Sequence, residues 1–445
     1  MALVTLAETW ERSQSPSPVA RCSVRKRLTL LTALAVLGST AACGGGPADD
    51  GRIELTIGTF TEFGYEQLLA EYEAAHPGIK VVHHKTGQGG PYHQALFTKL
   101  GAGSGLADVQ AVEEGYLADV LARPSLFANL EEIGPKSVTA DRWLDWKYQA
   151  AKAKDGTLIG YGTDIGPMAM CYRKDLFAAA GLPSEPEAVK PLFATWQSYF
   201  AAGEQFVAKS GGKAWFDSAA QIFNAMHNQL DTGYFDRQDK LTVENNAAVK
   251  QNWEQVTAAS ARGQSAKLVA FSNEWNSGFK TGAFATKTCP AWMLGVIKEQ
   301  AGPDNAGKWA VTDAFPGGGG NWGGSFLTVP KQSKHPKEAA ELAAWLTAPE
   351  QQVKAFLKAG TFPSQTRALS APELLSSTNE YFGGVRSGEL FATQARKVGK
   401  AQYKGPGDGK IQENVTSPAL QAVEQGLSPR EGWQRLVDGA KKLAK

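Results

Sequence analysis

The chain has 445 residues, more than one hydrophobic core usually serves, so two domains are expected. With 42% hydrophobic and 20% charged residues its composition is globular, which excludes a disordered or fibrous chain. Residues 1–42 hold five of the 46 basic and two of the 44 acidic side chains; the rest, 41 against 42, is about neutral and offers no basic face for nucleic acid.

The front reads as a targeting segment. Arg25, Lys26 and Arg27 precede an apolar run over residues 28–37, too short to span a bilayer and suited to a signal-peptide core. Small residues 38–42 then lead to Cys43 and three glycines, the pattern of a bacterial lipoprotein box with Thr40 where Leu is usual. Cleavage before Cys43 would leave a thiol to carry a diacylglycerol, on a Gly/Asp/Pro tether up to residue 52. The plainer alternative is a signal peptide with an incidental Cys. The expected location is the outer face of the cell membrane.

Alternation over residues 53–58 predicts an opening strand, with Thr61 and Glu62 in its exit loop as candidate ligand residues. Leu68, Leu69, Tyr72 and Ala75 share one helical face, stopped by His76-Pro77-Gly78, and residues 79–84 give the next strand. A helix over 92–100 and a Gly-rich turn lead to a third strand that delivers Glu113 and Glu114. Open α/β sheets bind ligands at the carboxyl ends of their strands, and neighbouring strand residues point opposite ways, so one of the two carboxylates is expected to face a ligand. The alternative is two solvated loop acids. The Gly-rich turn at 101–105 lacks the Gly-Lys-Ser/Thr ending of a phosphate loop.

Residues 161–183 order the rest. Ile165-Gly166-Pro167 is a breaker, 168–172 a short apolar strand, 176–180 a helix stopped by Gly181 and Pro183. This Tyr-Gly turn, Gly-Pro, hydrophobic strand, Tyr-Arg-Lys-Asp-Leu-Phe and Ala-Gly-Leu run resembles the extracellular solute-binding proteins of carbohydrate ABC importers, of maltose-binding type. His76-Pro-Gly-Ile-Lys-Val81 and the acidic end of the third strand resemble the same family, as does Gly278–Ile297, and residues 308–330 resemble its Trp, Pro-Gly-Gly and Pro-Lys piece. The resemblance covers most of residues 52–445.

It implies a type II periplasmic-binding-protein fold: two α/β lobes joined by a three-crossing hinge, lobe one from 53–164 plus 313–360 and lobe two from 165–312 plus 361–445. The cleft would open beside Asp164. Trp292, after a strand ending at Pro290, stands where the family places a sugar-stacking indole, whose flat apolar face suits the C–H side of a pyranose. Trp275, read as lying on a loop, is a weaker candidate, and Asn321 and Trp322 would sit on the cleft rim or, alternatively, in a flexible surface loop. With Cys22 removed and Cys43 lipidated, Cys171 and Cys289 remain, as a disulfide or as two buried thiols. No Cys/His spacing suits a metal, and no cofactor is implied.

The function implied is capture of a small oligosaccharide, di- to tetrasaccharide, and delivery to separate permease subunits by a monomer. The alternatives are the same fold holding a polyol or glycerophosphodiester and, less in keeping, a secreted glycosidase; no catalytic motif appears.

Overall fold

A computed structural model describes residues 51–400 and 402–444. The leader and Cys43 lie outside them. Among the described residues eleven strands carry the frame: β1 (Ile53–Phe60), β2 (Ile79–Thr86), β3 (Val109–Glu113), β4 (Gly160–Gly162), β5 (Asp164–Ile165), β6 (Met168–Arg173), β7 (Ala214–Phe216), β8 (Phe284–Pro290), β9 (Trp309–Thr312), β10 (Ser325–Thr328) and β11 (Phe362–Pro363).

The first lobe is built on a five-stranded sheet in the order β2-β1-β3-β10-β4, with β1 parallel to β2 and β3, and β10 antiparallel to β3 and β4. Leu55, Ile57, Val109 and Val112 are fully buried in it. Helix Glu66–Ala75 covers it with Leu68, Leu69 and Tyr72, three of the four residues of the predicted face; Ala75, the last residue of the helix, is exposed. Helix Pro336–Leu346 packs on β3 and β10 with Ala339, Leu342, Ala343 and Leu346. β1 runs two residues past its predicted end, so Thr59 and Phe60 belong to the strand.

The second lobe holds a four-stranded sheet, β7-β8-β6-β9, with β6 antiparallel to β8 and β9. All six residues of β6 are buried, the mark of a strand covered on both faces. The antiparallel register sets Ala169 opposite Cys289 and Cys171 opposite Lys287. Cys171 and Cys289 are thus diagonal neighbours, 5.5 Å apart between Cα atoms, and their sulfurs are bonded. Helices Asn273–Thr281 and Met293–Ala301 pack against each other, and their buried side chains join one core of this lobe. Helices Trp196–Val207, Ala219–His227 and Ala247–Ala261 contribute to the other.

Three chain crossings join the lobes. In the first and third, β5 pairs with β11. The second, residues 313–324, is tied to the first by one backbone bond and one to a side chain: Trp322 N–H donates to Gly166 O at 2.8 Å, and Gly166 N–H donates to Asn321 Oδ1 at 2.8 Å. A Cβ at Gly166 would stand 1.8 Å from Trp322 O, so only glycine permits this approach.

Candidate functional site

β3 and β8 end where the lobes meet, and each feeds a helix. Glu113 closes β3 and caps the following helix Glu114–Leu121, its carboxylate accepting from Gly115 N–H at 3.0 Å. The sequence reading placed both acids at a strand end; Glu114 in fact opens the helix. It is buried, accepts from Asn321 Nδ2 at 2.5 Å, and lies 3.5 Å from Lys404 Nζ. The backbone N–H of Glu113 donates to His93 Nε2 at 3.0 Å, while His93 Nδ1 meets Gly89 O at 2.7 Å. Burial lowers His93 to about 4, which leaves the ring neutral, Nδ1–H donating and Nε2 accepting. The same ring stacks on Tyr116 at 4.1 Å.

From the second lobe, Trp292 stands just before helix Met293–Ala301 and its indole N–H donates to Trp322 O at 3.2 Å. The Trp292 and Trp322 rings meet edge to face at 6.4 Å. Gly323 lies between the two chemistries: a Cβ there would be 3.4 Å from Trp292 Nε1 and 4.0 Å from Glu113 Oε1. Behind Trp322, Lys287 Nζ sits 5.7 Å from its ring and bonds Asp217 at 2.7 Å and Gln221 at 2.6 Å. Lys287 and Asp217 are both fully buried.

The C-terminal stretch supplies a group that sequence reasoning passed over. Lys410 Nζ donates to Asp119 at 2.9 Å, Gly407 N–H donates to the other Asp119 oxygen at 3.1 Å, and Tyr116 OH donates to Glu413. Asp408 is 3% exposed and its Oδ2 has no protein partner. Burial raises Asp408 to about 7, with Glu114 and Asp119 adding and Lys404 opposing. Burial also raises Glu113 to about 7, Glu114 and Glu413 adding and Lys404 opposing. The only sequence signal was charged residues set among Gly405, Pro406, Gly407 and Gly409.

The structure thus brings Glu113, Glu114, Asn321, Trp292 and Trp322 together. Asn321 is 4% exposed, inside the junction rather than on its rim, with its amide spent on Gly166, Gly323 and Glu114. Asp164 is buried in the hinge, where its Oδ1 accepts from Thr163 Oγ1 at 2.7 Å and Ser325 N–H at 2.9 Å. Thr61 and Glu62 are exposed, and Glu62 pairs with Lys85. Trp275 corrects the sequence reading: it lies in helix Asn273–Thr281, not a loop, is fully buried, and donates its indole N–H to Asp217 at 2.8 Å.

The sequence profile of bacterial extracellular solute-binding proteins matches residues 67–380. An arabinooligosaccharide-binding protein of Bacillus subtilis (strain 168) is 29% identical over 394 residues, 81% of this chain and 84% of its own. A crystal structure of an extracellular solute-binding protein of family 1 is 48% identical, covers 88% of this chain and all of its own, and superposes with a TM-score of 0.82. An ABC-transporter-associated binding protein of B. animalis subsp. lactis Bl-04, solved with beta-1,6-galactobiose, has the same fold at a TM-score of 0.73 and 24% identity, over 88% of this chain and 98% of its own.

Proposed function

This chain belongs to the bacterial extracellular solute-binding protein family, and on that premise we propose that it captures a small oligosaccharide between its lobes and hands it to an ABC permease. One observation carries the reading: the crossing segment 321–323 gathers two carboxylates and two partly buried indoles, Glu114 bonded to Asn321, Glu113 and Trp292 both close to Gly323, and Trp292 bonded to Trp322. Carboxylates accept strongly from sugar hydroxyls, and indole faces suit the apolar side of a sugar ring. The related arabinooligosaccharide-binding protein supports a sugar of this kind. Rigid-body closure about the three crossings is the mechanism: one lobe takes the ligand and the other folds over it.

A solute bearing a phosphate suits the junction poorly. It would meet Glu113, Glu114, Asp119 and Asp408, with Lys404 and Lys410 already committed to Glu114 and Asp119.

The same proposal divides the lobes at 53–164 plus 313–360 and 165–312 plus 361–445 and has the protein act as a monomer. No helix among the described residues is long and apolar enough to cross a membrane. Attachment in this reading falls to a lipid on Cys43, supported by the sequence pattern; loss of labelled palmitate in Cys43→Ala tests it.

A thermal-shift panel over arabino-, galacto-, malto- and xylo-oligosaccharides tests the ligand. A ligand at a hundred times its Kd should stabilise the protein by about 2.7 kcal/mol. Absence of any shift would transfer the reading to a non-sugar solute, and turnover of a glycan seen by chromatography would replace binding by catalysis.

A further inference from the structure

The C-terminal stretch belongs to one core and reaches the other. Ile411, Leu420 and Leu436 lie in the core around the four-stranded sheet, whereas Tyr116, Leu117 and Val120 of helix Glu114–Leu121 lie in the core around the five-stranded sheet. Residues 404–413 meet that helix directly, protein group to protein group. Lys404 faces Glu114 at 3.5 Å, Lys410 donates to one Asp119 oxygen at 2.9 Å, Gly407 N–H donates to the other at 3.1 Å, and Glu413 accepts from Tyr116 OH. Glu413 also covers the start of helix Gly89–Ala102, where a Cβ at Gly90 would stand 3.5 Å from its Oε2. At Gly409 the two backbones touch: a Cβ there would stand 2.5 Å from Gly115 O, and its three nearest neighbours would all be backbone atoms of Gly115. Gly409 lies inside helix Asp408–Ile411 without a positive φ, so its own helix accepts a Cβ and only the opposite lobe refuses one.

The seam between them is rich in acid. Glu113, Glu114, Asp119, Asp408 and Glu413 share it with Lys404 and Lys410. Lys147 acts on Glu113 and Glu114 from the first lobe, and Tyr234 faces Asp408 from the second. His93 and His227 add no charge, because burial holds them at about 4 and about 3. Helix Pro429–Leu443 packs on the same stretch and buries Leu436, Val437 and Ala440 but no charged side chain. With all five acids ionised, negative charge exceeds the two ammonium groups by three; a proton on Glu113 and one on Asp408 reduce the excess to one.

We propose that residues 404–413 form a clasp that fastens the lobes to each other directly, and that proton uptake by the acids along its seam tightens it. This rests on the hinge closure of the reading above, and concerns the closing step rather than the sugar. In the open protein the same acids face water and bind protons with ordinary affinity. Closing buries them and favours their protonated forms, so closing takes up protons between about pH 4 and pH 7 and grows less favourable as pH rises through that window. Each proton taken up on closing changes the closing equilibrium about tenfold per pH unit. The clasp thus makes the open, ligand-accepting form a function of the acidity outside the cell.

Small-angle X-ray scattering of the protein without any glycan, fitted as a mixture of closed and open forms, tests it. The closed-to-open ratio of wild type should fall about tenfold or more from pH 5 to pH 8. Asp408→Asn is neutral at every pH, so its ratio should fall less and be the higher of the two at pH 8. Gly409→Ala should be open at both pH values while keeping its melting temperature and far-ultraviolet spectrum. Tyr116→Phe keeps its ring and loses only the hydroxyl that meets Glu413, and should lower the ratio about five- to tenfold. A Gly409→Ala or Tyr116→Phe ratio equal to that of wild type overturns the clasp. A wild-type ratio indifferent to pH, or an undiminished fall in Asp408→Asn, overturns its control by protons. No sugar enters these measurements, so a pH-dependent ratio beside a panel in which no glycan binds would support the clasp while removing the oligosaccharide reading.

Discussion

The two strand ends that meet at the junction are built alike and do opposite things. β3 and β8 each finish at the meeting of the lobes and each feed a helix. β3 delivers charge, buttressed by polar groups: His93, Gly115 N–H, Asn321 and Lys404 surround Glu113 and Glu114. β8 delivers a ring, Trp292, which meets Trp322 of the second crossing and is buttressed by an ion pair and a covalent bond in the core behind. Carboxylates need hydrogen-bond donors from many directions, which crossing segments supply. An indole needs only a rigid base, which one well-packed sheet supplies.

That contrast is broken most severely at the base of the rings. Lys287→Met strands Asp217 as a buried charge without its partner, and should cost about 3–5 kcal/mol in chemical unfolding. A cost under 1 kcal/mol would show the pair to be dispensable. Replacing both Cys171 and Cys289 by Ala opens a link spanning 118 residues and should cost about 2–5 kcal/mol, with the far-ultraviolet spectrum retained. On the charged side, Glu114→Gln leaves the largely buried Lys404 without its carboxylate, so it should cost about 1–3 kcal/mol in chemical unfolding and also weaken oligosaccharide binding by about ten- to a hundredfold, the worth of hydrogen bonds to a charged acceptor.

The acids also sharpen the contrast through pH. Glu113 and Asp408 stand at about 7, above their ordinary values of 4.5 and 3.8. Between about pH 4 and pH 7 the folded protein then binds more protons than the unfolded chain, so their contribution to stability declines as pH rises through that window. The double variant Glu113→Gln, Asp408→Asn should show a flatter fall in melting temperature from pH 5 to pH 8 than wild type; equal slopes would remove these two groups from the account. Glu62→Gln should do least. Its exposed pair with Lys85 is worth at most about 1 kcal/mol, and ligand affinity should not change.

Much of this was legible in the chain, and the exceptions share a cause. Helix Glu66–Ala75 buries Leu68, Leu69 and Tyr72 as their spacing predicts, because apolar periodicity is a local signal. Trp275 was misread because Asn273-Glu-Trp-Asn-Ser277 has a loop composition. Its helix depends on the Ser272 cap, whose Oγ accepts from Trp275 N–H at 3.2 Å, and its burial on Asp217, 58 residues away. Lys404 and Asp408 were missed because the acids they face, Glu114 and Asp119, lie almost 300 residues earlier.

By itself the sequence determined the alternation of strands and helices, the breaker at Gly166, and the residue types at the strand ends. These follow from side-chain period and backbone freedom, which act over a few residues. Only the tertiary structure decided which acids face which lysines, that Cys171 lies diagonal to Cys289, and that Trp275 is core while Trp292 meets Trp322 beside Gly323. Those outcomes depend on strand register and on the crossing of distant segments, and burial energy selects among such arrangements only when the whole chain is folded.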